Sequence, residues 1–178
     1  MKRFIWAISV VALSALGACA QVRQTASIQE QTHFSAEDDG VKVPVNIPDD
    51  AWAILKSEHD VQGALEDAGF RPDQLPKTWF SASVVHLHSL DEKDLFVAAE
   101  GPLVGGNISQ FWIFLGTDKG MKLVAEGATH DVFIRPARWR GYRIIELDGM
   151  TCCRVDTTWL RFEGGQYKDY RHVSKEIK

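Results

Sequence analysis

The chain has 178 residues, enough for one domain of ordinary size or two very small ones. Apolar residues make up 45% and charged residues 25%, which excludes a disordered chain, a collagen and a multi-span membrane protein. The formal charge of −4 supplies no drive toward nucleic acid, and three cysteines exclude a disulfide-dense scaffold.

Met1-Lys2-Arg3 is a short basic start, and Phe4 to Leu16 is an apolar run too short for a bilayer-crossing helix. It ends in Leu16-Gly17-Ala18-Cys19, which resembles the lipobox of bacterial lipoproteins. The resemblance implies a signal peptide over 1–18, diacylglycerol on the Cys19 sulfur and a further acyl chain on its amine. Two or more chains hold stably where one is marginal. The class uses aspartate after the cysteine for inner-membrane retention. Ala20 therefore implies the outer membrane, facing the periplasm or the cell surface. Ordinary cleavage after Ala18-Cys19-Ala20 is the alternative, and export follows from both.

Residues 19–46 are polar and aperiodic and read as a flexible tether. A single domain is expected over 47–178, with a helical part over 47–76. Pro48-Asp49-Asp50 marks a helix start, with carboxylates at the positive end of the dipole. Trp52 and Leu55 share one face. Val61, Ala64, Leu65 and Ala68 then recur at helical spacing before Gly69, predicting helices over about 49–57 and 60–68. Beyond Trp79 the apolar runs are short, β-branched or aromatic. They predict strands at 81–88, 94–100, 111–116, 121–125, 130–135, 142–148, 157–162 and 166–172.

These eight fall into two sets of four at a fixed offset of 48 residues. Val84 matches Val132, Phe96 Ile144, Val97 Ile145, Phe111 Trp159 and Phe114 Phe162; Glu100-Gly101 matches Asp148-Gly149 and Gly116 matches Gly164. The expected fold is α+β and mainly antiparallel β. Two tandem four-stranded units, about 79–125 and 127–173, follow the helical segment. Two units cannot close a propeller ring, so the sheets must bury their apolar faces against each other or against the helices.

The densest local feature is Arg135-Pro136-Ala137-Arg138-Trp139-Arg140-Gly141-Tyr142-Arg143. It falls on a strand-to-strand connection and predicts an exposed hairpin tip. Arg135, Arg138, Trp139, Arg140, Tyr142 and Arg143 are the candidate partner-binding residues, because arginine and large aromatics dominate binding hot spots. The alternative is a solvated turn whose arginines pair with the chain's own acids. His86 and His88 are weak metal candidates, with His130 or Asp131 as a third ligand; satisfied histidines are the plainer expectation. Cys152-Cys153 in an oxidising envelope leaves a vicinal disulfide, cross-links or buried thiols. A cysteine nucleophile would need a base, and His172 is the only histidine downstream. No catalytic constellation and no cofactor motif is found.

The expected function is a lipid-anchored, non-catalytic protein-binding module of the envelope, with the bilayer held through Cys19 and another envelope or secreted protein as partner. The plan resembles bacterial envelope lipoproteins with blade-like β repeats, some of which inhibit lysozyme-type enzymes or confer immunity to cell-wall hydrolases. The alternatives are an envelope hydrolase using a histidine-containing site and a structural accessory of an outer-membrane assembly.

Overall fold

A computed structural model describes residues 30–38 and 40–177; the leader, Cys19 and the first part of the expected tether lie outside these residues. Two nine-residue helices, α1 (Asp49–Ser57) and α2 (His59–Asp67), stand where the periodicity predicts. Their buried stripes are Ala51 and Leu55, then Val61 and Leu65. The Asp50 carboxylate accepts the N–H of Ala51 at 2.9 Å and that of Met121 at 2.6 Å, so a residue of the first turn of α1 also fastens it to a strand. The second helix stops at Gly69 (φ +72°). The Gly69 N–H bonds to Glu66 O at 3.0 Å and the Phe70 N–H to Leu65 O at 2.9 Å, the paired closure of a Schellman motif. Neither helix is long and apolar enough to cross a membrane.

In chain order the strands are β1 (His33–Ser35), β2 (Phe80–Val85), β3 (Asp94–Ala99), β4 (Val104–Gly105) and β5 (Ile108–Thr117). They continue as β6 (Gly120–Thr129), β7 (Asp131–Trp139), β8 (Tyr142–Met150), β9 (Arg154–Glu163) and β10 (Gln166–Glu176). The first sheet is the antiparallel meander β2-β3-β5-β6, with β4 beside the start of β5. The second is the meander β7-β8-β9-β10, with β1 added outside β7. The duplicated four-stranded unit is thus present.

The offset of 48 holds in the middle of each unit. Val97–Trp112 and Ala98–Phe111 in the first sheet become Ile145–Leu160 and Glu146–Trp159 in the second. It slips in the first hairpin of each unit, where Val84 pairs Leu95 but Val132 pairs Leu147. An eight-residue loop, 86–93, joins β2 to β3, whereas the two residues Arg140 and Gly141 join β7 to β8. The matched Asp148-Gly149 is correspondingly no turn: it lies inside β8.

The two sheets form layers with the helices. Leu95, Val97, Trp112 and Phe114 bury themselves under α1 and α2. Phe96, Phe111, Ile113 and Leu115 face Val132, Ile134, Ile145 and Leu160 of the second sheet. The first sheet is therefore covered on both sides, which is why β3 and the centre of β5 are continuous apolar runs. Among the described residues the second sheet is covered on one side only, and β7 begins with the alternation that expresses it. The reading of 19–46 as tether changes where the described residues begin. Phe34 of β1 is 5% exposed and stacks on Phe96 with ring centroids 3.7 Å apart, so this stretch is part of the core. At the opposite edge β10 carries a bulge between Asp169 and Arg171.

Candidate functional site

The arginine-rich segment forms the outer half of the β7–β8 hairpin. Arg140 (φ +49°) and Gly141 (φ +88°) are its two turn residues, and a pair of positive φ angles is the mark of the primed turns that match strand twist. Residues 138–141 are exposed, as a tip requires. Its arginines have different fates. Pro136 lies where pairing breaks between Ile134 and Arg138, because proline brings no N–H to a ladder. The carbonyls around that break are taken by Arg143, whose Nη2 donates to Ile134 O at 2.6 Å and Nε to Arg135 O at 3.0 Å. Its Nη1 reaches both oxygens of Glu30 at 3.0 Å, and the residue is buried. Arg138 donates to the carbonyls of Leu87, His88 and Gly141. Tyr142 stacks between His88 and Phe162, at 5.0 and 4.0 Å. Arg135, Arg138, Tyr142 and Arg143 are therefore engaged by the protein's own groups, Arg138 at the surface and Arg143 in the interior. Arg140 forms neither a hydrogen bond nor an ion pair among the described residues, and Trp139 beside it is 38% exposed.

The tip leads onto the uncovered face of the second sheet. Register places His33, Phe133, Glu146, Trp159 and Arg171 side by side across all five strands. His33 stacks on Phe133 at 4.2 Å, and the Arg135 guanidinium lies 4.3 Å from the same ring. Arg135 grips Glu146 with two bonds, at 2.8 and 2.5 Å, and the Trp159 indole N–H donates to Glu146 at 2.7 Å. Arg135 holds the Glu146 carboxyl below the usual carboxylate range, with the indole N–H assisting against partial burial. Arg171 covers Trp159 at 4.6 Å; Arg161 stands 4.8 Å from Trp139 and 5.5 Å from Tyr170. Stacking of guanidinium on aromatic rings holds this set in order while leaving its outer surface to solvent.

The other end of the same face is acidic and histidine-rich. His33 and Asp131 approach to 2.8 Å, and His130 and Asp131 to 2.7 Å. Asp131 raises the His130 pKa, while burial works the other way. Burial pushes Asp148 up against a hydrogen bond from Thr157. These residues stand apart from the histidines expected to recruit them. His86 turns to Glu30 at 3.6 Å, whereas His88 engages Glu92 at 2.9 Å and Asp94 at 3.7 Å. The His-x-His pair thus lies in the 86–93 loop beyond the end of β2 and shares no partner, and His130 and Asp131 serve neither ring.

A concavity of about 560 Å³ lies between α2 and the first sheet, with Asp60, Asp67, Leu103 and Ile108 in its wall. An adjoining hollow of about 300 Å³ contains Glu58 and Glu126. Burial, aided by the Glu126 carboxyl and by Asp60, pushes the Glu58 pKa up to about 7. The glycine-rich 101–107 segment forms one rim of the larger hollow through Pro102 and Gly105. Sequence inspection missed both carboxyl groups, which lie 68 positions apart on different elements.

Cys152 and Cys153 lie exposed in the β8–β9 loop as free thiols, Sγ to Sγ 3.0 Å. The neighbouring thiol holds Cys153 above its ordinary pKa, the opposite of nucleophile activation. His172 bonds Thr158 at 3.0 Å and faces Asp156 at 3.8 Å. In comparisons with known proteins, no family model, no curated protein and no solved structure matches this chain.

Proposed function

We propose that this protein is a lipid-anchored, non-catalytic binding module of the cell envelope, held in the outer membrane through Cys19, that docks an acidic surface of another protein. An inhibitor of, or immunity protein against, a cell-wall hydrolase fits this chemistry, because such enzymes present carboxylates to which a guanidinium can pair bidentately. The observation that carries the reading is the arginine-aromatic face of the second sheet, in which Trp139, Arg140, Arg161, Tyr170 and Arg171 form one patch. Rigid stacking lowers the ordering cost on binding, and these residue types concentrate binding energy. Arg135, Arg138, Tyr142 and Arg143 support the patch from below, and Trp139 and Arg140 make the contact.

The test is inhibition of peptidoglycan hydrolysis by lysozyme-type muramidases, with the purified chain added in increasing amounts. Saturable inhibition by the wild type that weakens at least tenfold in a Trp139→Ala/Arg140→Glu variant is expected, since a hot-spot pair contributes about 2 kcal/mol or more. Equal inhibition by the variant, or none by the wild type across the muramidase class, overturns the reading.

A further inference from the structure

We infer that His88, Glu92 and Asp94 form a binding site for a divalent transition-metal ion of the zinc class. One donor atom from each of the three lies within 4.8 Å of the others. The site is built by the β2–β3 loop, the longer of the two equivalent connections in the duplicated units, so it belongs to the first unit alone.

Asp94 anchors it. Its side chain is completely buried, with Oδ2 accepting the Leu87 N–H at 2.7 Å and Oδ1 the Gly116 N–H at 3.0 Å. A buried carboxylate calls for a positive charge, yet no lysine or arginine pairs with it among the described residues. The neighbour it has is His88, whose Nδ1 lies 3.7 Å from Asp94 Oδ2. That distance is too long for a hydrogen bond. The same Nδ1 is closed off from solvent and has no hydrogen-bond partner. Two ligands each about 2.0–2.1 Å from a tetrahedral zinc stand roughly 3.3–3.4 Å apart, so the two atoms need close by only a few tenths of an ångström to share an ion. Glu92 sits against the other ring nitrogen, 2.9 Å from Nε2, and its half-exposed carboxylate has to turn toward Nδ1 to complete the set.

An imidazole nitrogen with carboxylate oxygens favours zinc-class ions over calcium or magnesium, which prefer oxygen alone. The ring is already oriented by stacking on Tyr142 and by Arg138, which holds the Leu87 and His88 carbonyls. Such support lowers the cost of assembling a site. The inference does not depend on the proposed binding function.

The experiment is calorimetric titration of zinc chloride into the full chain carrying Cys19→Ser, Cys152→Ser and Cys153→Ser, which removes the thiols as competing ligands. One ion per chain is expected. His88→Phe, which keeps an aromatic ring against Tyr142, is expected to weaken binding more than a hundredfold, and Glu92→Gln at least about tenfold. His86→Phe and His130→Phe are expected to bind as the parent does. Absence of saturable binding, or parent-like affinity in His88→Phe, overturns the site. Thermal melting reports whether each variant is folded. If His88→Phe is not, the exposed Glu92→Gln variant decides, and parent-like affinity there overturns the site equally.

Discussion

Arg140 and Arg143 stand three positions apart with the same guanidinium and opposite surroundings. Arg143 is consumed by two carbonyls exposed at the Pro136 break and by Glu30, and nothing of it remains for a partner. Arg140 occupies a left-handed backbone position that glycine, asparagine or aspartate would fill with less strain. We therefore expect Arg140→Asn to raise stability by about 1 kcal/mol, read as a higher urea midpoint at unchanged slope. The same variant is expected to lose inhibitory potency, a trade that marks a strained residue kept for contact. The segment's composition made the tip legible. It could not say which arginine is structural, because Arg143 meets its carboxylate 113 residues away. His88 shows the same limit: the His-x-His spacing was visible, but nothing in it pointed to Glu92 and Asp94 as the ring's neighbours.

At the scale of elements, long patterned segments were legible and short ones were not. All eight expected strands exist, since each carries an apolar run that must face a core. β1 was missed because three residues have no period, and its register is set entirely by β7. Its weight is nevertheless large. Phe34 sits between the sheets on Phe96, and the Arg143–Glu30 pair lies just before it in sequence. Phe34→Ala should cost about 3–5 kcal/mol, as other large buried aromatics do, measured by equilibrium urea denaturation. A loss below about 1 kcal/mol would show that β1 only lies against the domain.

Over the whole molecule, the groups shifted by their surroundings tilt stability toward mildly acidic pH. Glu58 has a folded value of about 7 against 4.5 for the free side chain, so its contribution is complete below 4.5 and is lost as pH rises through 7. Asp94 and Asp148, both raised by burial, act in the same sense. His130, raised by Asp131, contributes below its free value and loses that contribution as pH climbs past the folded one. Glu146 and Asp131, held low, change nothing in this window because their contributions vanish only on stronger acidification. The melting temperature should therefore fall between pH 5.5 and pH 8. Glu126→Gln should flatten the fall by removing the charge that opposes Glu58; an unchanged slope would assign the dependence elsewhere. None of this could be read from composition, since a net charge of −4 says nothing of which carboxyls meet.

The long outer strand β10 raises a different matter. An edge of eleven residues is an open invitation for another chain to extend the sheet, the route by which β proteins form fibres. Lys168, Asp169, Arg171, Lys175 and Glu176 load it with charge, and the irregularity between Asp169 and Arg171 spoils the flat ribbon an incoming strand would copy. The opposite border is the three-residue β1, too short to template much pairing. Short on one flank and blunted on the other, the second sheet offers an incoming chain little regular edge on which to polymerise.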